Sequence, residues 1–151
     1  LLEGASAALS NLVCNNPYNS RALVEMGGIN ELVQIITDTS MVNFLDANQN
    51  EEIQANLVEC LANLTLSDNG SNEKNEAGAF DVKDLILLCG SQNTQVQKMA
   101  GMVIGNMARD PAFRYKIGIG GGVEALFLLC EKNDDFVKVN SFWGLSNLAW
   151  D

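Results

Sequence analysis

One short motif recurs four times along the chain and limits what the chain can fold into. Each copy has an apolar residue two positions before an asparagine and a second apolar residue directly after it. The four motif asparagines are Asn11, Asn63, Asn106 and Asn147, at intervals of 52, 43 and 41 residues. The last two intervals match the ~40–47-residue period of helical repeat arrays. We therefore predict a stack of similar helical units.

A glycine turn repeats out of phase with the asparagine motif. Gly27-Gly28 and Gly121-Gly122 each precede an apolar run, and a looser copy is Gly78-Ala79-Phe80. A glycine pair permits a positive φ angle and a close approach of two backbones. Each copy therefore predicts a sharp turn between two helices.

The apolar residues between these landmarks follow a helical period. Ile53, Leu57, Cys60, Leu61 and Leu64 are spaced as one buried stripe, which predicts a long helix over about 51–66. The same reasoning predicts further helices at about 3–14, 19–26, 29–37, 73–78, 82–89, 94–108, 111–117, 123–131 and 135–150.

The first interval between motif asparagines is about ten residues longer than the others, and residues 38–50 account for the excess. They are largely polar and have no helical period, so we predict an inserted loop. The sequence begins and ends inside helical patterns without an initiator methionine, so we expect a longer parent protein. The predicted units are a third helix of a preceding repeat at 1–16, then repeats at 17–68, 69–109 and 110–151.

Composition argues against several classes of function. The 19 acidic and 9 basic residues give a formal charge of −10, which disfavours binding to a phosphate backbone. The chain contains no histidine, so His-based triads, Cys–His dyads and histidine metal ligands are excluded. Nor does any apolar run reach the ~18 residues of a membrane span. We predict no catalytic residue, metal or cofactor, and therefore no enzyme.

The four cysteines lie in apolar helical stretches and form no C-x-x-C pair. They are Cys14, Cys60, Cys89 and Cys130. This pattern predicts buried, reduced cysteines that act as small hydrophobic residues. We accordingly expect an intracellular, cytoplasmic protein, with cytoskeletal, ciliary and nuclear locations left open.

The order of these features resembles the armadillo repeat: a short helix, a Gly-Gly turn, a second helix, a polar turn and a long helix that carries the asparagine motif. The strongest matches are residues 8–12, 27–33 and 143–148. The resemblance implies an all-α, right-handed α-solenoid, an armadillo-like superhelix of about three complete three-helix repeats plus a partial one. It also implies that the third helix of each repeat lines an extended concave surface.

The resemblance further implies that the motif asparagines form a ladder along this surface. An amide both donates and accepts hydrogen bonds, so the ladder could hold the main chain of an extended peptide. The alternative is that each asparagine ties adjacent third helices together. Residues one turn earlier share the same helix face. The predicted partner-binding residues are Asn11, Glu59, Asn63, Met102, Asn106, Trp143 and Asn147.

The function implied is a non-enzymatic scaffold that binds extended or helical segments of other proteins and stacks on further armadillo repeats of its own chain. One alternative is a transport receptor for basic cargo, because importin-α-type receptors stack lysine stems on W-x-x-x-N pairs. Trp143 and Asn147 form such a pair, but the other copies have no tryptophan, and Trp143 could serve only for packing. A second alternative is a regulator of a small GTPase that acts by nucleotide exchange.

Overall fold

The computed structural model describes residues 2–37, 47–66 and 82–150, and this part of the chain is helical. The all-α prediction is therefore confirmed. The predicted helix at 73–78 and residues 38–46 of the predicted loop lie outside the described residues. The helices are α1 (Leu2–Val13), α2 (Pro17–Glu25), α3 (Gly28–Thr37), α4 (Ala47–Leu66), α5 (Val82–Leu88), α6 (Thr94–Met107), α7 (Pro111–Ile119), α8 (Gly122–Cys130) and α9 (Asp135–Leu148).

Short polar side chains cap the starts of four helices. Asn16, Asn93, Asp110 and Asp134 each accept a hydrogen bond from a backbone N–H in the first turn of α2, α6, α7 and α9. Such caps satisfy N–H groups that have no partner inside the helix. Pro111 occupies the first turn of α7, where the missing N–H costs nothing. Local sequence therefore sets where these helices begin.

The glycine turns have the predicted backbone geometry. Gly27 has φ +81° and Gly121 has φ +93°, the left-handed region that L side chains rarely adopt. The second glycine of each pair starts the next helix in a crowded position. A Cβ on Gly28 would lie 2.7 Å from the backbone oxygen of Leu23, and one on Gly122 would meet the preceding helix in the same way. One glycine therefore makes the turn, and the other lets the two helices approach.

Like helices stack on like helices. The long helices that carry the asparagine motif form one layer, in which α1 packs on α4, α4 on α6 and α6 on α9. The shorter helices α3, α5 and α8 form a second layer, with α5 between the other two. Helix α2 contacts α1, α3 and α4, and α7 packs against α5, α6, α8 and α9. The core lies between the layers, where Val33, Leu61, Leu85, Ile104 and Leu126 are essentially inaccessible.

Helix α4 begins at Ala47, within the predicted inserted loop of 38–50. The last four residues of that predicted loop are therefore helical. Gln49, Glu51 and Glu52 are good helix formers, but they are polar and two of them are charged. The first turns of a helix that faces solvent have the composition of a loop. Because the prediction relied on polarity alone, it placed the start of α4 about four residues too late.

Candidate functional site: the third-helix surface

The motif helices α1, α4, α6 and α9 together present one continuous surface, called here the third-helix surface. The residue one turn before each motif asparagine lies on it. Glu59 is exposed, Met102 is half-buried and Trp143 is 38% exposed. A carboxylate, a thioether and an indole therefore follow one another across the stack, and each is at least partly exposed to solvent.

Asn147 joins two neighbouring motif helices. Its Nδ2 donates a hydrogen bond to the carbonyl oxygen of Gly105 on α6, at 2.9 Å. The residue is only partly buried, and its Oδ1 acceptor is a different atom from the one engaged with Gly105. Asn147 can therefore tie α9 to α6 and still accept a hydrogen bond from a ligand.

Asn106 occupies the equivalent position on α6 but is fully buried. Its Nδ2 lies 3.2 Å from the carbonyl oxygen of Ala62 and 3.2 Å from the hydroxyl of Thr65, both on α4. Within the described residues, its Oδ1 has no hydrogen-bond partner. Asn106 therefore fits the alternative in which a motif asparagine ties adjacent motif helices together. It joins α6 to α4, and its burial keeps it from a ligand on the surface.

The other two predicted asparagines are more open. Asn11 on α1 is exposed, and Asn63 on α4 is half-buried. The motif therefore gives four equivalent backbone positions but not four equivalent environments. Neighbouring side chains decide which amide reaches the surface, and those neighbours come from a different repeat.

Trp143 packs on the backbone of the preceding motif helix. A Cβ added to Gly105 would lie 2.5 Å from Cε3 and 2.7 Å from Cζ3 of the indole ring. The absence of a side chain at Gly105 is what lets the ring approach the backbone of α6 this closely. Trp143 therefore packs on α6 and is still accessible, because 38% of the residue faces solvent.

Further asparagines, which were not among the predicted site residues, also join neighbouring repeats. Asn140 Nδ2 donates to the carbonyl oxygen of Lys98 at 3.0 Å, and Asn56 Nδ2 donates to the hydroxyl of Ser6 at 3.1 Å. Asn93 Nδ2 donates to the carbonyl oxygen of Glu51 at 3.2 Å. Asn56 and Asn140 precede motif asparagines by seven residues, two helical turns, so their spacing was a usable signal.

No protein-family model matches this sequence, and no curated protein matches it. Solved structures do match. An engineered protein is 28% identical with a TM-score of 0.79, over 97% of this chain and 56% of its own. A designed armadillo repeat protein is 27% identical with a TM-score of 0.77, over 97% of this chain and 58% of its own. The chain has an armadillo-like repeat fold.

A second designed armadillo repeat protein, solved in complex with the peptide (KR)4, is 24% identical with a TM-score of 0.75. The match covers 97% of this chain and 57% of that protein. The armadillo-like chain therefore spans a little over half the length of these three proteins. Two of its helix triplets, α2–α3–α4 and α7–α8–α9, show the predicted order of short helix, glycine turn, second helix and long helix.

The cysteines of the armadillo-like fold are all free thiols, but they are not all buried. Burial raises the pKa of Cys60 to about 11 and that of Cys89 to about 12. Cys130 is half-buried, and its pKa is raised by burial and by the neighbouring charge of Glu131. Cys14 is exposed, so the prediction of a buried thiol is wrong there. Helix α1 ends at Val13, and the next residue therefore leaves the buried stripe.

Across 2–37, 47–66 and 82–150, no three His, Cys, Asp or Glu side chains are grouped so that they could hold a metal ion. In the same part of the chain, no helix combines the length and the apolar character that crossing a bilayer requires.

Proposed function

We propose that this armadillo-like chain is a non-enzymatic scaffold that holds segments of other proteins on its third-helix surface. The observation that carries the proposal is the placement of Trp143. Its ring is fixed against Gly105, while 38% of the residue stays open to solvent. A rigid aromatic side chain that is partly exposed beside a polar amide is typical of a protein-binding hot spot.

Each residue near Trp143 on the third-helix surface offers a bound segment a different kind of contact. Asn147, one turn later, has an acceptor for a main-chain N–H of the bound segment. Met102 adds a flexible apolar side chain, and Glu59 adds a negative charge further along the stack. Asn63 and Asn11 extend this row toward the N-terminal end. Asn106 supports the surface from within.

The charge of the chain favours a basic partner, which makes a receptor for basic cargo the second candidate. The formal charge is −10, and Glu59 lies on the same row as the accessible indole. Lysine and arginine bind the face of an indole ring. One structural neighbour is a designed protein in complex with the peptide (KR)4. Because only one motif helix carries tryptophan, we propose a single indole subsite in place of a row of them.

The proposal is tested by selecting peptides from a random library on the whole chain and titrating them, together with (Lys-Arg)4, by fluorescence anisotropy. Trp143→Ala should weaken binding at least about tenfold, the effect of losing a hot-spot aromatic. Tyr115→Ala is the matched control, because Tyr115 is an aromatic residue that is 70% exposed on α7, which is not a motif helix. Equal affinity of both variants and the wild type would refute the proposed surface.

The general scaffold and the receptor for basic cargo predict different peptides from this selection. A receptor for basic cargo should enrich lysine and arginine, and its affinity should fall as salt is raised, since screening weakens charge attraction. A general scaffold should select apolar segments whose affinity depends little on salt.

We also propose an intracellular location, which the four free thiols support. Microscopy of the tagged protein in cells tests the location.

A further inference from the structure

The third-helix surface changes its chemical character from α4 to α9. Two positions on each motif helix show this: the one a turn before the motif asparagine, and the one two further turns earlier on the same face. On α4 they hold Glu59 and Glu52, and both are exposed. On α9 they hold Trp143 and Phe136, which are 38% and 69% exposed. Both rows of positions therefore run from a carboxylate on α4 to an aromatic ring on α9.

Helix α6 lies between α4 and α9 and contributes uncharged side chains to both rows. Met102 and Gln95 occupy the two positions, and both are half-buried. Met99, one turn before Met102, is half-buried as well. A thioether side chain adapts its shape to apolar and aromatic groups. Helix α6 therefore extends the aromatic end of the surface and not the acidic end.

The charged residues of these three motif helices follow the same order. Helix α4 contains Glu51 in addition to the two glutamates on the surface, and it contains no basic residue. Helix α6 contains Lys98 and no acidic residue. In α9, Lys138 Nζ lies 3.9 Å from a carboxylate oxygen of Asp135, so the two charges offset each other. Negative charge is therefore concentrated on α4, and the aromatic end is close to neutral.

The two aromatic rings of α9 are positioned by the preceding motif helix. Lys98 Nζ on α6 lies 4.9 Å from the centroid of the Phe136 ring, and the indole of Trp143 packs on Gly105 of α6. A further repeat stacked on α9 would leave both contacts in place. The ammonium group of Lys98 already binds one face of the Phe136 ring and repels a second cation there. The aromatic end therefore favours an apolar side chain over a basic one.

One basic side chain cannot serve both ends of the surface. The axes of packed helices lie ~8–10 Å apart, so Glu59 and Trp143, two helices apart, are separated by about 16–20 Å. The Debye length is about 8 Å at physiological ionic strength, so the charge of Glu59 is screened before it reaches the indole. An extended chain advances about 3.3 Å per residue and covers this separation in about five to six residues. Two different residues of a bound segment must therefore meet the two ends.

We propose that the third-helix surface binds an extended segment that carries a basic residue and, about five to six residues away, an apolar residue. The basic residue lies beside Glu59 on α4, and the apolar residue lies against Met102 and Trp143. This inference rests on the proposed function, since it needs a partner on this surface, and it names the chemistry of that partner. It assigns the cation to α4, whereas a receptor for basic cargo would hold the cation on the indole.

The test is fluorescence anisotropy of the whole chain with labelled peptides of glycine and serine that carry one arginine and one phenylalanine. The peptides are about twelve residues long, with the two residues in either order and about two to nine positions apart. Affinity should be highest at a separation of about five to six, in one of the two orders, which gives the direction of the bound segment. Equal affinity at every separation would contradict the arrangement of two distinct ends.

Variants of the chain then assign each peptide residue to one end. Replacing the peptide phenylalanine by alanine should weaken binding to the wild type but not to Trp143→Ala, because that variant has already lost the contact. Glu59→Lys should weaken the arginine peptide by at least about threefold and should bind a peptide with glutamate in place of arginine more tightly. Glu131→Lys is the matched control, because it makes the same change of charge at an exposed residue at the end of α8, which is not a motif helix. Its affinity for the arginine peptide should stay within about twofold of the wild type.

Four results would overturn the inference, and they differ in what they leave standing. If the peptide arginine responds to Trp143→Ala and not to Glu59→Lys, the cation lies on the indole, and the proposed function stands. Equal losses for Glu59→Lys and Glu131→Lys would mean that only net charge matters. If the chain binds none of these peptides, while peptides selected from the random library still depend on Trp143, only the pairing of a basic with an apolar residue is wrong. If Trp143→Ala changes the affinity of no peptide, the proposed function fails as well.

Discussion

The side-chain nitrogen of Asn147 lies 2.9 Å from the carbonyl oxygen of Gly105, the residue just before the preceding motif asparagine. Asn106 has the same relation to Ala62, at 3.2 Å. Each bond joins residues one repeat apart, 42 positions in the first case and 44 in the second. On α6 and α9, the motif asparagine therefore joins its helix to the preceding motif helix at the same place in the repeat.

Removing these amides should lower stability in proportion to their burial. We expect Asn106→Ala to cost about 1–3 kcal/mol in the free energy of unfolding, since it removes two buried hydrogen bonds to α4 and leaves a small cavity. Asn147→Ala should cost about 0.5–1.5 kcal/mol, because its environment is partly solvated. Asn11→Ala, at the exposed copy, should stay within about 0.5 kcal/mol of the wild type. Urea unfolding in dilute solution measures all three, and equal losses would contradict the burial argument.

Two glycines three residues apart should respond to alanine in opposite directions. Gly121 has φ +93°, so Gly121→Ala should destabilise the chain by about 1–2 kcal/mol through backbone strain. Gly118 lies inside α7 with open space where a Cβ would be, so Gly118→Ala should stabilise by about 0.5–1 kcal/mol. Thermal unfolding tests whether the two substitutions have opposite effects, as backbone conformation predicts, or whether both glycines are present only to make the chain flexible. In the second case both variants would shift the melting temperature in the same direction.

A side chain at Gly105 should displace Trp143. The added methyl of Gly105→Ala would overlap the indole ring and approach Gly144 Cα to 3.2 Å. We expect a loss of about 1–3 kcal/mol, typical of overpacking, and a change in tryptophan fluorescence as the ring moves toward water. Gly101→Ala is the control, because its new Cβ would find ordinary contacts of 3.5 Å. An unchanged emission spectrum for Gly105→Ala would mean that the ring does not rest on α6.

The four thiols should differ sharply in reactivity. Cys14 should react fastest with a thiol reagent at pH 8, and Cys130 should follow. Cys60 and Cys89 should react only on unfolding, because their pKa values of about 11 and 12 leave almost no thiolate. Since both folded pKa values lie above 9.0, the ordinary pKa of a cysteine thiol, stability should fall as pH rises above about 9. Mass spectrometry of time-resolved alkylation gives the order, and early labelling of Cys60 would contradict it.

The fold could be predicted from sequence because the same helix and turn patterns occur in several repeats and support one another. The motif asparagines and the glycine pairs locate the long helices and the turns before them, and the φ angles of Gly27 and Gly121 confirm the turns. The start of α4 was missed because the polar first turns of a solvent-facing helix look like a loop. The exposure of Cys14 was missed because it depends on where α1 ends.

The site was harder to predict than the fold, because exposure depends on a neighbouring repeat. Asn106 and Asn147 share one motif, yet only Asn106 is enclosed by Ala62 and Thr65 from α4. The resting place of Trp143 on Gly105 involves residues 38 positions apart, which the motif does not link. Sequence periodicity names the positions on the third-helix surface, and only packing shows which of them a partner can reach.

The central claim is that partners bind along the third-helix surface, and hydrogen–deuterium exchange of the chain with and without a saturating selected peptide tests it most directly. The account predicts slower amide exchange in α4, α6 and α9, centred on the segment from Trp143 to Asn147, with α2 and α7 unchanged. Protection confined to α2, α5, α7 or α8, with the motif helices unaffected, would contradict it.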